Sequence, residues 1–189
     1  MRIGIDISQM AYPGTGVANY LQNLVESLIE YDKENEYILF YSSLRKNFQF
    51  SIFNHPAASN FQTIPIKSES NNNVTMKQFR FPPTLLDLLW NRLHIVPIEW
   101  FIGDVDVFIS SDWTQPPSKA KKMTILYDLI IYKYPDETAK KIIDVQKRKL
   151  KWVKKEVDKV LCISEATKKD AKDILGISEE KLSVVYPGI

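Results

Sequence analysis

The segment AYPGTGVANYLQNL, Ala11 to Leu24, sets Gly14, Thr15 and Gly16 between an apolar run (Ile3, Ile5, Ile7) and a strongly helical pattern. Glycines at a helix amino terminus do chemistry through the backbone. Unpaired N–H groups and the positive end of the helix dipole together favour an anion such as a phosphate. Glycines also serve as a plain tight turn, because they permit the chain reversal, and the local sequence leaves both readings open. A dinucleotide fingerprint requires Gly-x-Gly-x-x-Gly or Ala, with an acid at the end of the second strand for the ribose. Here Asn19 takes the third position and the second strand ends in Ser42-Ser43, while Glu34 and Glu36 precede that strand. NAD binding is therefore disfavoured. So is a Walker loop, since no Gly-Lys-Ser/Thr comes after the glycines.

Two further positions fall where strands end. Ser164 precedes Glu165 at the opening of a helix, which suits an N-cap as well as a ligand contact. Asp112 comes after FISS, also at a strand end, and reads as a solvated loop acid or as a hydrogen-bond partner for a ligand. Neither His55 nor His94 has a partner histidine at metal-ligand spacing, and Cys162 lies in an apolar strand. No metal site is expected.

The elements that must position these residues alternate. RIGIDIS has the two-residue period of a strand. From Val17 a helical stripe runs through Tyr20, Leu21, Leu24, Val25, Leu28 and Ile29. Tyr37 to Tyr41 reads as a second strand and FQTIPI as a third, with a polar loop over Lys67 to Asn73. A short apolar helix begins at Thr84, and Pro97 breaks or kinks the chain beyond it. Strands are expected over Val105 to Ile109 and in KMTILYDL, ending near Tyr127. A helix without proline or glycine is expected from Asp136 to Asp158. A strand then runs from Val160 to Ile163, a helix from Glu165 to Leu175 closed by Gly176, and a last strand from Leu182 to Tyr186. This is an α/β, Rossmann-like doubly wound and mostly parallel sheet with helices on both faces, with ligands expected at the carboxyl ends of the strands.

The 189 residues, 44% hydrophobic and 25% charged, suffice for one core, and no linker divides them. A net charge of +2 gives no general argument for nucleic acid. The single cysteine excludes an internal disulfide and fits a reducing compartment. Asp6 interrupts any apolar core of a signal peptide, and no apolar run approaches the length of a membrane span. A cytoplasmic protein is the expectation.

Three segments carry a resemblance. MRIGIDISQMAYPGTGVANYLQNLVESLIEYDKENEYILF resembles the amino terminus of family 4 glycosyltransferases of the GT-B type, closest to the branch of bacterial polysaccharide mannosyltransferases. TILYDLIIYKYPDE resembles that family's strand with its His-Asp-Leu segment, and VDKVLCISEATKKDAKDILGISEEKLSVVYPGI resembles a later block of the same domain. Roughly Ser42 to Ile102 matches only loosely. The resemblance implies a retaining transferase that moves a sugar from a nucleotide-sugar donor to a saccharide or lipid-linked acceptor, without a catalytic metal. By position it implicates Gly14, Thr15 and Gly16 at the donor's diphosphate and sugar. Tyr127 and Asp128 stand where the family usually has His-Asp, and a tyrosine hydroxyl hydrogen-bonds but does not ionise at neutral pH. Asp128 then either touches substrate or braces its loop. No catalytic base is assigned.

The resemblance also implies a second, donor-binding domain beyond YPGI. The present chain is thus expected to be the acceptor-side half, inactive or nearly so by itself. A non-catalytic domain of the same fold, binding a glycan or a protein partner, is the competing class. Finally, nine basic residues face three acidic ones between Lys140 and Lys159. The run reads as the solvated face of a packed helix or as a surface for anionic lipid headgroups at the inner face of a membrane.

Overall fold

A computed structural model describes residues 1–44, 62–65 (backbone only) and 73–187. His55 and the polar stretch 67–72 lie outside them. Eight strands form one sheet: β1 (Arg2–Asp6), β2 (Glu36–Ser42), β3 (Gln62–Pro65), β4 (Val74–Phe79), β5 (Val107–Ser110), β6 (Lys121–Leu126), β7 (Lys159–Cys162) and β8 (Leu182–Val184). Their order is β3-β4-β2-β1-β5-β6-β7-β8. All neighbours are parallel except β3, which runs antiparallel along β4. Among the described residues six α-helices accompany the sheet: α1 (Gly16–Tyr31), α2 (Pro83–Leu86), α3 (Glu99–Ile102), α4 (Ile130–Lys133), α5 (Lys140–Glu156) and α6 (Glu165–Asp173).

The strand period explains both faces. Ile5, Tyr37, Leu39, Tyr41, Ile109 and Ile125 point to one side and close over the α1 stripe of Leu21, Val25 and Ile29. Their neighbours point to the other side. There Ile38, Phe40 and Phe108 meet Trp90, Ile98 and Ile102, and Leu126, Val160 and Cys162 meet Leu150, Val153, Ala171 and Leu175. Buried on both faces, the central strands are near-continuous apolar runs, as parallel sheets require.

Four details depart from expectation. The helix expected over Asp136 to Asp158 begins at Lys140, because Pro135–Glu137 forms a separate 3-10 turn after α4. β8 stops at Val184. β4, whose Val74 and Met76 are buried, is a strand that the polar residues leading into it conceal in the sequence. The helix opening at Pro83 widens over Asp87–Arg92 into a π-helical turn, with Leu93 N donating to Leu88 O.

Candidate functional site at the strand ends

β1 sends the chain to β2 on one side of the sheet and has β5 on the other. Its carboxyl end is therefore the switch point, where crevices form in open α/β sheets. Beyond it a 3-10 turn (Ser8–Ala11) leads into the glycine segment. Gly14 has φ +85°, which a β-carbon would strain. Thr15 caps α1: its hydroxyl accepts from Ala18 N (3.2 Å) and donates to Tyr12 O (2.9 Å). Its side chain is thus occupied, which leaves the first-turn amides of Gly16 and Val17 as donors without an intrahelical acceptor. All of Gly14, Thr15 and Gly16 are exposed, and a β-carbon at Gly16 would meet open space.

Ser111 and Asp112 leave β5 on the other side of the crevice. The Ser111–Gln115 segment is held from several directions. Trp113 Nε1 donates to Gln9 Oε1 (2.8 Å), tying it to the turn after β1. Asn91, aimed inward by the π-helical turn, donates from Nδ2 to Trp113 O (2.9 Å) and accepts at Oδ1 from Gln115 N (3.1 Å). Ser110 Oγ donates to Gln115 Oε1 (2.6 Å). Asp112 is half-buried rather than a solvated loop acid, and burial raises its carboxyl above the usual range against the lowering influence of Lys149 and Gln146.

Tyr127 and Asp128 come directly after β6. Tyr127 is buried, its hydroxyl 3.3 Å from Ser111 Oγ, its ring edge-on to Tyr20 of α1 (5.5 Å), and burial drives its phenol well upward. Asp128 is exposed, and its Oδ1 accepts from Ile130 N (3.0 Å), bracing the start of α4. After β7, Ser164 caps α6 by accepting from Thr167 N (3.1 Å), and Thr167 Oγ1 donates to Tyr127 O (3.0 Å). The structure thus links Tyr127, Ser164 and the Ser111 turn through short contacts. The exposed glycine segment shares the same strand-end edge.

One residue at this edge is hidden in the sequence. Lys149, expected on a solvated face of α5, is 1% exposed. Its Nζ donates to Ser111 O (2.5 Å) and lies 3.5 Å from Ile125 O. Burial pulls its ammonium down to about 8, opposed by the charges of Asp112 and Asp6. Asp6 ends β1, is itself raised by burial, and accepts from Ser8 N (2.9 Å). The available signal is periodicity, since Lys149 stands four residues from both Val145 and Val153 in the apolar stripe. The other lysines of α5 do face solvent, and four of them, Lys147, Lys151, Lys154 and Lys155, line a shallow groove of about 370 Å³ with Tyr132 and Leu150. Among the described residues no cluster of His, Cys, Asp or Glu could hold a metal ion, and no helix is long and apolar enough to cross a membrane.

The sequence model described as Glycosyltransferase Family 4 matches residues 14–189. No curated protein matches the chain. Among solved structures, an alpha-glucosyltransferase in complex with UDP and a 13-mer DNA containing a HMU base is similar at 12% identity and a TM-score of 0.48. The alignment covers 100% of this chain and 43% of that one, so the chain spans less than half of that enzyme's length.

Proposed function

Because the chain belongs to glycosyltransferase family 4, we propose that it is the acceptor-side domain of a retaining glycosyltransferase. In this reading it moves a hexose, mannose foremost, from a nucleotide-sugar donor to a saccharide or lipid-linked acceptor. A second domain would supply most donor contacts, and without it the chain turns over little or no substrate. The observation that carries the reading is that an exposed helix amino terminus at Gly14–Gly16 and the half-buried Asp112 come after the carboxyl ends of two neighbouring strands, β1 and β5. The amides of Gly16 and Val17 would meet the donor's diphosphate, and Asp112 would accept from a sugar hydroxyl. The chemistry needs no metal here, since the helix dipole and backbone donors stabilise the leaving phosphate.

Titration of the ¹⁵N-labelled chain with UDP-glucose and GDP-mannose tests this. Shifts centred on Gly14, Gly16 and Val17 are expected even at millimolar affinity. A spectrum unchanged at those amides would return the segment to a tight turn. A second reading, a glycan- or partner-binding domain without catalysis, draws on Tyr127, which is buried with its hydroxyl beside Ser111. Under the first reading, the exposed Lys147, Lys151, Lys154 and Lys155 would rest on anionic lipid headgroups at the inner face of a membrane. None of them is ion-paired among the described residues.

A further inference from the structure

Burying an ammonium is costly unless its hydrogen bonds or its charge are needed, and an apolar side chain of similar length would fill the same volume. Lys149 is the one fully buried cation among the described residues. It meets the Ser111 carbonyl just past β5 and the Ile125 carbonyl in β6, and it feels the charge of the Asp6 carboxylate that ends the neighbouring β1. One turn earlier on α5, Gln146 lies beside the Asp112 side chain and lowers its carboxyl. α5 therefore holds the Ser111–Asp112 turn by a hydrogen bond to its backbone and sets Gln146 and the Lys149 charge beside its carboxylate. The rest of that segment is fixed by Asn91, Gln9 and Ser110.

We propose that Lys149 is a positioning residue of the crevice: its ammonium, bound to the Ser111 carbonyl, holds the turn that carries Asp112 and so fixes where that carboxylate meets the hydroxyls of a saccharide. The saccharide rests on the glycosyl-transfer reading, whereas the hold on Asp112 does not. The charged and titratable groups facing Lys149 are Asp6 from β1 and Asp112 from the turn after β5. Tyr127 at the end of β6 completes the surroundings of the turn through Ser111 Oγ. Losing the Lys149 proton removes charge beside Asp112 and weakens the grip on Ser111 O.

The test uses the 189-residue chain labelled with ¹³C and ¹⁵N. In the wild type, the amides of Ser111 and Asp112 and the Asp112 Cγ should move with a midpoint near pH 8, the same as the Lys149 Cε. In Lys149→Met that step should vanish and the Asp112 carboxyl should titrate at higher pH than in the wild type. Saturation transfer to methyl α-mannopyranoside should be lost in Asp112→Asn and at least halved in Lys149→Met. Ser111 and Asp112 signals that stay flat while Lys149 titrates would overturn the proposal, and that result needs no variant to fold. Undiminished saccharide contact in Lys149→Met would overturn it as well. A coupled titration in a wild type that shows no saccharide contact supports the hold on Asp112 and counts against the acceptor role.

Discussion

Arg148 reaches from α5 to Asp87, 61 residues away in sequence, and donates from Nη2 to Oδ2 (2.7 Å) and from Nε to Oδ1 (3.2 Å). The same carboxylate accepts from Arg92 and Asn91. Burial raises the Asp87 carboxyl, but these donors more than offset it and hold it below its usual range. The pair locks the π-helical turn onto α5 and with it the inward aim of Asn91. Asp87→Ala strands Arg148 and should lower unfolding stability by about 2 kcal/mol, read by urea denaturation. The amides of Trp113 and Gln115 should shift in the same variant, because Asn91 holds both.

Gly4 sits where β1 crosses beneath α3. A β-carbon there would come within 2.7 Å of Ile102 Cδ1 and 2.9 Å of Phe108 Cδ2. Gly4→Ala should therefore overpack the core at a cost of about 1–3 kcal/mol, with a lowered thermal midpoint. An unchanged midpoint would mean that Ile102 shifts aside freely.

Thr15 separates capping from ligand binding. Thr15→Ala removes the cap and should cost about 1 kcal/mol. Thr15→Asp keeps a capping oxygen and favours the helix dipole, so stability should match or exceed the wild type. The added negative charge should nevertheless abolish shifts induced by UDP-glucose or GDP-mannose at Gly16 and Val17. Retained shifts in Thr15→Asp would remove the diphosphate from this helix end.

The fourfold change Lys147→Gln, Lys151→Gln, Lys154→Gln and Lys155→Gln alters an exposed face and should leave stability within about 0.5 kcal/mol. At about 1 kcal/mol per lysine near an anionic surface, co-sedimentation with phosphatidylserine vesicles should fall roughly a hundredfold or more. Equal sedimentation of both proteins would leave this face as a solvated one.

Lys149 also gives stability a pH dependence of definite sign. Its folded value of about 8 lies below the ordinary 10.5, so between those values the unfolded chain holds more protons. Stability then rises with pH across that window as far as this group is concerned. The unfolding free energy of Lys149→Met minus that of the wild type should therefore be most positive below pH 8 and fall toward pH 10.5. A constant difference would show that Lys149 is not desolvated.

The alternation of Ile3, Ile5 and Ile7, the α1 stripe and the runs of β5 to β7 make the parallel sheet readable from sequence, because strands buried on both faces and amphipathic helices leave periodic traces. The edge is harder to read: Lys77 and Gln78 dilute the period of β4, whose inward side chains are few. The π-helical turn carries no local signature, since its extra residue is stabilised by Arg148 and Trp152 from a distant helix. Among the candidate site residues, Ser164 and Thr15 announce themselves as caps. Asp112 differs from a solvated acid first through its burial, beside Gln146 and Lys149, which the chain brings over from more than about 30 residues away. A lysine within a strongly basic run looks like its neighbours until the stripe through Val145 and Val153 is traced across it.

The central place of β1 also shapes how the chain can be made. Ile3 pairs with Tyr37 on one side but with Val107 on the other. At about 5–20 residues per second, a ribosome delivers β5 roughly 5–20 s after β1. Throughout that interval β1 is an edge strand, its outer N–H and C=O groups open to any passing partner, and the pocket that will receive Phe108 is unfilled. The nascent chain is therefore most open to mispairing while the residues between β1 and β5 emerge.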